Sequence, residues 1–237
     1  MKMELPDKLH KRYRHISFDL WLTLVKSNPE YKPKRNQLFK DFFAIDKPID
    51  EVAAAIRKMD IFTNSVNEKV GRNFDTLEIY YLILDLLGED INNHSKQQLE
   101  EFYGHSHSLL MEYKPLLLDH SIPAQLKEFH EVGLTMNILS NTAFIKGSSL
   151  RHIISHYELD TYFSFQAYSD ETGFSKPAVE MYDYAYRTIL QSGDIKKKEV
   201  LHVGDNVISD YNGAIAFGFD AHLITNKTNN EYKLQPA

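Results

Sequence analysis

Five short apolar runs punctuate the chain: HISFDLW from His15, LTMNILS from Leu134, YFSFQAYS from Tyr162, VLHVGD from Val200 and FDAHLIT from Phe219. Each is brief, rich in β-branched or aromatic residues, and bounded by Gly, Asn, Asp or Ser, which predicts strands. Segments with helical spacing separate the last four: GSSLRHIISHYEL from Gly147, AVEMYDYAYRTIL from Ala178 and SDYNGAIAFG from Ser209. A further helical segment, IPAQLKEFHEVG from Ile122, precedes the second run and ends at Gly133, a C-cap position. This alternation predicts a parallel sheet with helices on both faces, joined by right-handed crossovers.

Between the first and second runs the pattern changes. Residues 26–111 carry helical segments only: KRNQLFKDFFAI, IDEVAAAIRKMDIF, FDTLEIYYLILDLLG and SKQQLEEFYGHSHSLLMEY. That stretch is far too long for a connection and is expected to form a helical subdomain of its own. The expected division is therefore an α/β core from residues 1–25 and 112–237, interrupted by a helical unit over 26–111. No internal repeat or low-complexity segment appears. In open α/β sheets ligands bind beyond the carboxyl ends of the strands, which is where the insertion begins.

Composition narrows the class. The 237 residues are 43% hydrophobic and 25% charged, ordinary for a soluble globular protein. A net charge of -6 gives no reason to expect nucleic-acid or membrane binding. The absence of cysteine excludes disulfides and thiolate chemistry, and suits a reducing, cytoplasmic location. The N-terminal MKMELPDKLHKRYRH lacks the apolar core of a signal peptide, and no apolar run is long enough for a membrane span.

Polar residues stand at the carboxyl ends of the predicted strands. Asp19 and Thr23 follow the first, Ser140 and Asn141 end the second, Lys176 follows the third, and Asp205 and Asp210 follow the fourth. Parallel strands bring these positions to one sheet edge. Carboxylates crowded there require a cation, and a hard ion such as Mg²⁺ prefers oxygen ligands. An aspartate in such a place can act as nucleophile and form an aspartyl-phosphate. Lys176, the Ser140 hydroxyl and backbone N–H groups near Asn141 would then hold the charged equatorial oxygens of a transferring phosphoryl group.

The set resembles the haloacid dehalogenase (HAD) superfamily in four motifs: DLWLT at Asp19–Thr23, NILSNT at Ser140, SKP at Lys176 and GDNVISD at Asp205 and Asp210. The resemblance spans the chain and implies a Rossmann-like α/β core with a helical cap inserted after the first strand. It implies a Mg²⁺-dependent hydrolase, a phosphatase of a small phosphorylated metabolite. Asp19 would be nucleophile and ligand, with Asp205, Asp210 and the Trp21 backbone carbonyl completing the metal site. Thr23, Ser140, Asn141 and Lys176 would serve the phosphoryl group. One position departs from the pattern. Phosphatases of the superfamily usually carry a second aspartate, the general acid–base, where this chain has Trp21, its only tryptophan. Dehalogenases carry tyrosine there and use no metal, so a 2-haloacid dehalogenase is the alternative, alongside a degenerate member that binds a ligand or partner without turnover. No motif encodes substrate identity or oligomeric state.

Other candidates have plainer readings. His152 and His156 are one helical turn apart and His105 and His107 two residues apart; both pairs are expected as surface or interface residues rather than ligands. Lys32, Lys34 and Arg35 open the insertion as a basic stretch that is either solvated surface or a grip for an anionic substrate. Phe42, Phe43, Tyr80 and Tyr81 are expected in the core of the insertion, and neither Lys58 nor Lys69 has surroundings that mark it for Schiff-base chemistry.

Overall fold

The computed structural model describes residues 9–224. Residues 1–8, the last residue of the FDAHLIT run and the ends of the two-part core division lie outside that range. A five-stranded parallel sheet forms the core. Its strands are β1 (His15–Phe18), β4 (Thr135–Ser140), β5 (Phe165–Tyr168), β6 (Val200–Gly204) and β7 (Asp220–Leu223), arranged in the order β5-β4-β1-β6-β7. Each lies within one of the five apolar runs. β1 occupies the centre, in register with both neighbours: Phe18 pairs with Ile138 of β4 and Val203 of β6.

The alternation of side chains along the strands divides the core in two. Ile16, Phe18, Met136, Ile138, Leu201 and Val203 pack beneath α5 (Ile122–Glu131) and α6 (Gly147–His156). Leu139, Ala167 and Val200 pack on the other face against α8 (Val179–Leu190), which follows the one-turn α7 (Ser169–Thr172), and against α9 (Gly213–Phe217). α5 stops at Glu131, and two residues on Gly133 takes a positive φ of 85°. The SDYNGAIAFG segment is not one α-helix: a turn of π-helix, Val207–Asn212, precedes α9.

Four helices lie between β1 and α5: α1 (Tyr31–Phe42), α2 (Ile49–Val70), α3 (Thr76–Leu86) and α4 (Lys96–Glu112). They enclose an apolar cluster, with Phe39, Phe43, Tyr80 and Phe102 ring against ring, that also takes in Phe144 of the loop after β4. Phe43 and Tyr80 are buried there, while Phe42 and Tyr81 flank the cluster. A two-stranded antiparallel ribbon that the sequence pattern did not predict pairs β2 (Val25–Lys26) with β3 (Leu116–Leu117). It ties the outgoing and returning chains together where they cross between the sheet domain and the helical unit. Two-residue strands carry too little alternation to be read from sequence. Among the described residues no helix is long and apolar enough to cross a membrane.

Candidate active site

β1 ends at Phe18, and the backbone N–H of Asp19 still donates to Val203 of β6 at 2.8 Å. The sheet ladder therefore fixes the Asp19 backbone at the carboxyl edge. The chain then turns tightly: Leu20 accepts from the N–H groups of Leu24 and Val25, at 2.9 and 3.0 Å, and Leu22 takes a positive φ of 56°. Trp21 rides on this turn, half-buried against the core cluster between the sheet and α5. Thr23 is fully buried, and its hydroxyl lacks a partner among the described residues.

Lys176 sits at the centre of the charges. Its ammonium lies 2.9 Å from Asp19 Oδ1 and 2.6 Å from Asp210 Oδ1, and the residue is only 1% exposed. Asn141 holds the Lys176 backbone from both sides: the Lys176 N–H donates to its Oδ1 at 2.7 Å and its Nδ2 donates to the Lys176 carbonyl at 2.9 Å. Its amide is thus committed to placing Lys176. Ser140, buried at the end of β4, donates its hydroxyl to the Asn141 carbonyl at 3.2 Å.

Asp210 projects from the π-helical turn back under the loop after β6. Asn206 N–H donates to its Oδ2 at 2.9 Å, and His202 lies 3.1 Å from its Oδ1. The Tyr182 hydroxyl donates to the Ser209 carbonyl at 2.6 Å, anchoring the backbone beside it. Gly204 is required by this packing, since a Cβ there would lie 2.3 Å from the Asp210 carboxylate. Asp205 differs from Asp19 and Asp210: among the described residues no side chain donates a hydrogen bond to it.

Oxygens of Asp19, Asp205 and Asp210 lie within 4.8 Å of one another, and no other cluster of three or more His, Asp or Glu groups among the described residues meets that spacing. Electrostatics follows from the crowding. Burial raises the Asp19 carboxyl to about 6, with Lys176 opposing the shift and Asp210 adding to it. Burial and the Asp19 and Asp210 charges raise Asp205 to about 7. Burial acts on Asp210 in the same direction, but Lys176 and His202 outweigh it and hold its carboxyl well below the usual range. Lys176 is pushed down by burial and, more strongly, up by its two aspartates. Burial lowers the His202 imidazole below its ordinary value, against the pull of Asp210. Three carboxylates facing one ammonium leave two negative charges uncompensated when all are ionised. An all-oxygen donor set with that deficit fits a hard divalent cation such as Mg²⁺.

The helical unit meets this edge at several points, most densely around the turn from α2 to α3. Glu68 accepts from the Ser209 hydroxyl at 2.7 Å, Asn73 Oδ1 accepts from the Ser169 hydroxyl at 2.7 Å, and the Thr76 hydroxyl donates to the Ala143 carbonyl at 2.8 Å. The Arg72 guanidinium stacks over Phe174 at 4.4 Å. The end of α2, the turn that follows it and the start of α3 therefore touch the segments after β4, β5 and β6 at once. Of the basic stretch, Arg35 lies over Phe144 of the loop after β4 at 4.9 Å, whereas Lys34 turns to Tyr113. The histidines pair otherwise than by sequence spacing: His107 meets His152 across the seam, with ring centroids 5.5 Å apart, and His105 packs on Phe42. His202, Tyr182, Asn206 and Glu68 also belong to the site, although no sequence motif singles them out. A usable signal existed for His202, a polar residue within a strand predicted to be buried on both faces.

A family model of haloacid dehalogenase-like hydrolases matches residues 13–218. An uncharacterized hydrolase of Schizosaccharomyces pombe is 29% identical over 117 residues, 48% of each chain. The chain thus spans about half the length of that curated relative. In structure the chain resembles the HAD-hydrolase YfnB of Bacillus subtilis, in a crystal form bound to magnesium, with a TM-score of 0.69 at 17% identity over 95% of this chain and 92% of that one. It also resembles the L-2-haloacid dehalogenase of Xanthobacter autotrophicus, with a TM-score of 0.59 at 16% identity over 91% and 80%. At such identities the likeness is one of fold, and fold alone does not choose a reaction.

Proposed function

The chain belongs to the haloacid dehalogenase-like hydrolase family, and from that premise we propose that it is a Mg²⁺-dependent phosphatase of a small phosphorylated metabolite. One observation carries the reading: Asp205, a carboxylate without a side-chain donor, stands beside two others that share a single ammonium. A site that displaced halide from a carboxylate substrate without metal would gain nothing from that surplus of negative charge. A site for phosphoryl transfer needs it to hold the ion. Asp19, Asp205 and Asp210, with the Trp21 carbonyl, would hold Mg²⁺, which when bound neutralises the phosphoryl oxygens and brings the anionic substrate to an anionic nucleophile.

The chain's own groups divide the remaining work. An Asp19 oxygen attacks phosphorus as the bond to the leaving oxygen breaks, giving an acyl phosphate on Asp19 and releasing the leaving group with its electron pair. Lys176 keeps Asp19 ionised and aimed, since its backbone is clamped by Asn141. Ser140 and the backbone N–H of Asn141 would meet the equatorial oxygens, and Thr23 buttresses the turn. Water then attacks the acyl phosphate, frees phosphate and regenerates the Asp19 carboxylate. Trp21 cannot supply the proton that an alkoxide leaving group needs. The proposed substrates are therefore those with leaving groups that depart as stable anions, such as acyl or aryl phosphates.

The test is a screen of phosphorylated metabolites and 2-haloacids, with Mg²⁺ and with chelator, alongside Asp19→Asn. Phosphate release that requires Mg²⁺ and disappears in the variant is expected. Halide release indifferent to chelator would overturn the reading in favour of the dehalogenase; ligand binding without any turnover would overturn it in favour of a degenerate member.

A further inference from the structure

Strands of a parallel sheet covered on both faces are normally apolar throughout. Beneath this site they are not. Ser17 of β1 lies in register with Asn137 of β4 on one side and His202 of β6 on the other, and all three are completely buried. Burying such groups costs free energy unless they are hydrogen-bonded, so their retention in the centre of the sheet calls for a reason.

His202 is the member of this row that reaches the reacting groups. Its Nε2 lies 3.1 Å from Asp210 Oδ1 and its Nδ1 3.1 Å from Ser17 Oγ. A carboxylate only accepts, so Nε2 carries the proton and donates to Asp210, while the Ser17 hydroxyl donates to Nδ1. Ser17 thereby fixes the tautomer. The ring is held edge-on against Tyr182, with centroids 5.5 Å apart. Asp210 Oδ1 thus receives both Lys176 and His202, and its lone pairs are filled; Oδ2, with one donor from Asn206, keeps a lone pair free.

We infer that His202 is a positioning residue of the site, dividing the two oxygens of Asp210 between separate tasks. With His202 in place, Oδ1 is committed to Lys176 and Oδ2 is the oxygen presented to a cation. Without the Nε2 proton the carboxylate loses one of the donors that set its rotation, and both the cation site and the seat of Lys176 loosen together. The inference rests on the reading of the site as a divalent-cation site, and it extends that reading to a strand residue outside the four motifs.

The test compares His202→Phe, which keeps a ring against Tyr182 but has no nitrogen, with His202→Gln, which can return an N–H near Nε2. The probe is Mn²⁺, its binding followed by the electron paramagnetic resonance of the free ion, with thermal unfolding of the metal-free proteins measured in parallel. His202→Phe is expected to weaken Mn²⁺ binding by about 10–100-fold, the usual effect of losing a group that orients a ligand, and His202→Gln to stay within about threefold of wild type. Equal binding by wild type and His202→Phe would overturn the positioning role, as would an equal loss in both variants, which would assign the effect to packing. Should His202→Phe fail to fold, Ser17→Ala removes the tautomer lock alone and is expected to weaken Mn²⁺ binding; unchanged binding there overturns the inference. A wild type that binds no Mn²⁺ would instead overturn the underlying reading of the site.

Discussion

Replacing Asp205 with asparagine is expected to make the metal-free protein more stable while removing its response to Mg²⁺. The Asp205 carboxyl is raised from 3.8 to about 7 by burial and by the Asp19 and Asp210 charges. For an acid shifted upward on folding, the folded state favours the neutral form. Stability is then greatest below the unfolded value and is lost as pH rises through about 7. At 1.36 kcal/mol per tenfold displacement, the full penalty above that pH is roughly 4 kcal/mol. An amide removes the Asp205 charge but leaves Asp19 and Asp210 facing each other, so a gain of about half that size, roughly 2 kcal/mol, is expected near pH 8. For a chain of this length it corresponds to an increase of about 4–8 °C in Tm. Near pH 5 most of the wild-type carboxyl is protonated and the difference should shrink to below about 1 kcal/mol. With Mg²⁺ at about 100 times its dissociation constant, wild type should gain about 2.7 kcal/mol and Asp205→Asn almost nothing. Calorimetry or dye-monitored melting at the two pH values, with and without Mg²⁺, is sufficient. A variant less stable than wild type, a difference independent of pH, or an equal Mg²⁺ response in both proteins would refute the reasoning.

Lys176→Met should be among the most damaging substitutions, because it leaves Asp19 and Asp210 buried without their ammonium. A loss of about 3–5 kcal/mol is expected in denaturant titrations at neutral pH, smaller once acid protonates Asp19 below about 6; a loss that does not depend on pH would contradict it. Trp21→Asp should raise turnover of alkyl phosphates by about 10²–10⁴ while changing acyl phosphates little, read as kcat/KM on the two substrate types. An unchanged ratio between them would show that the missing acid is not what limits this enzyme.

The sheet and the four helices of the insertion were legible because each carries enough residues for its hydrophobic period to show. The ribbon of β2 and β3 was not, since Val25–Lys26 and Leu116–Leu117 offer two residues each. Asp19, Lys176, Asp205 and Asp210 were readable as a group because parallel strands must bring their carboxyl ends together; the structure sets the Lys176 ammonium against Asp19 and Asp210 and brings oxygens of the three aspartates within 4.8 Å of one another. The division of labour was not readable. Nothing in NILSNT distinguishes an Asn141 that meets a ligand from one that clamps the Lys176 backbone, because that depends on a partner 35 residues away. Likewise the pairing of His107 with His152, and of Glu68 with Ser209, joins the insertion to the sheet domain across sequence distances that no local period encodes.

The most direct test of phosphoryl transfer through Asp19 is to trap the acyl phosphate. The protein is mixed with acetyl phosphate and Mg²⁺, quenched in acid and digested, and the peptide containing Asp19 is weighed by mass spectrometry. The account predicts a gain of one phosphoryl group on Asp19, absent with chelator and absent in Asp19→Asn. Turnover of acetyl phosphate with no adduct on that peptide, or with the adduct on another residue, would contradict it.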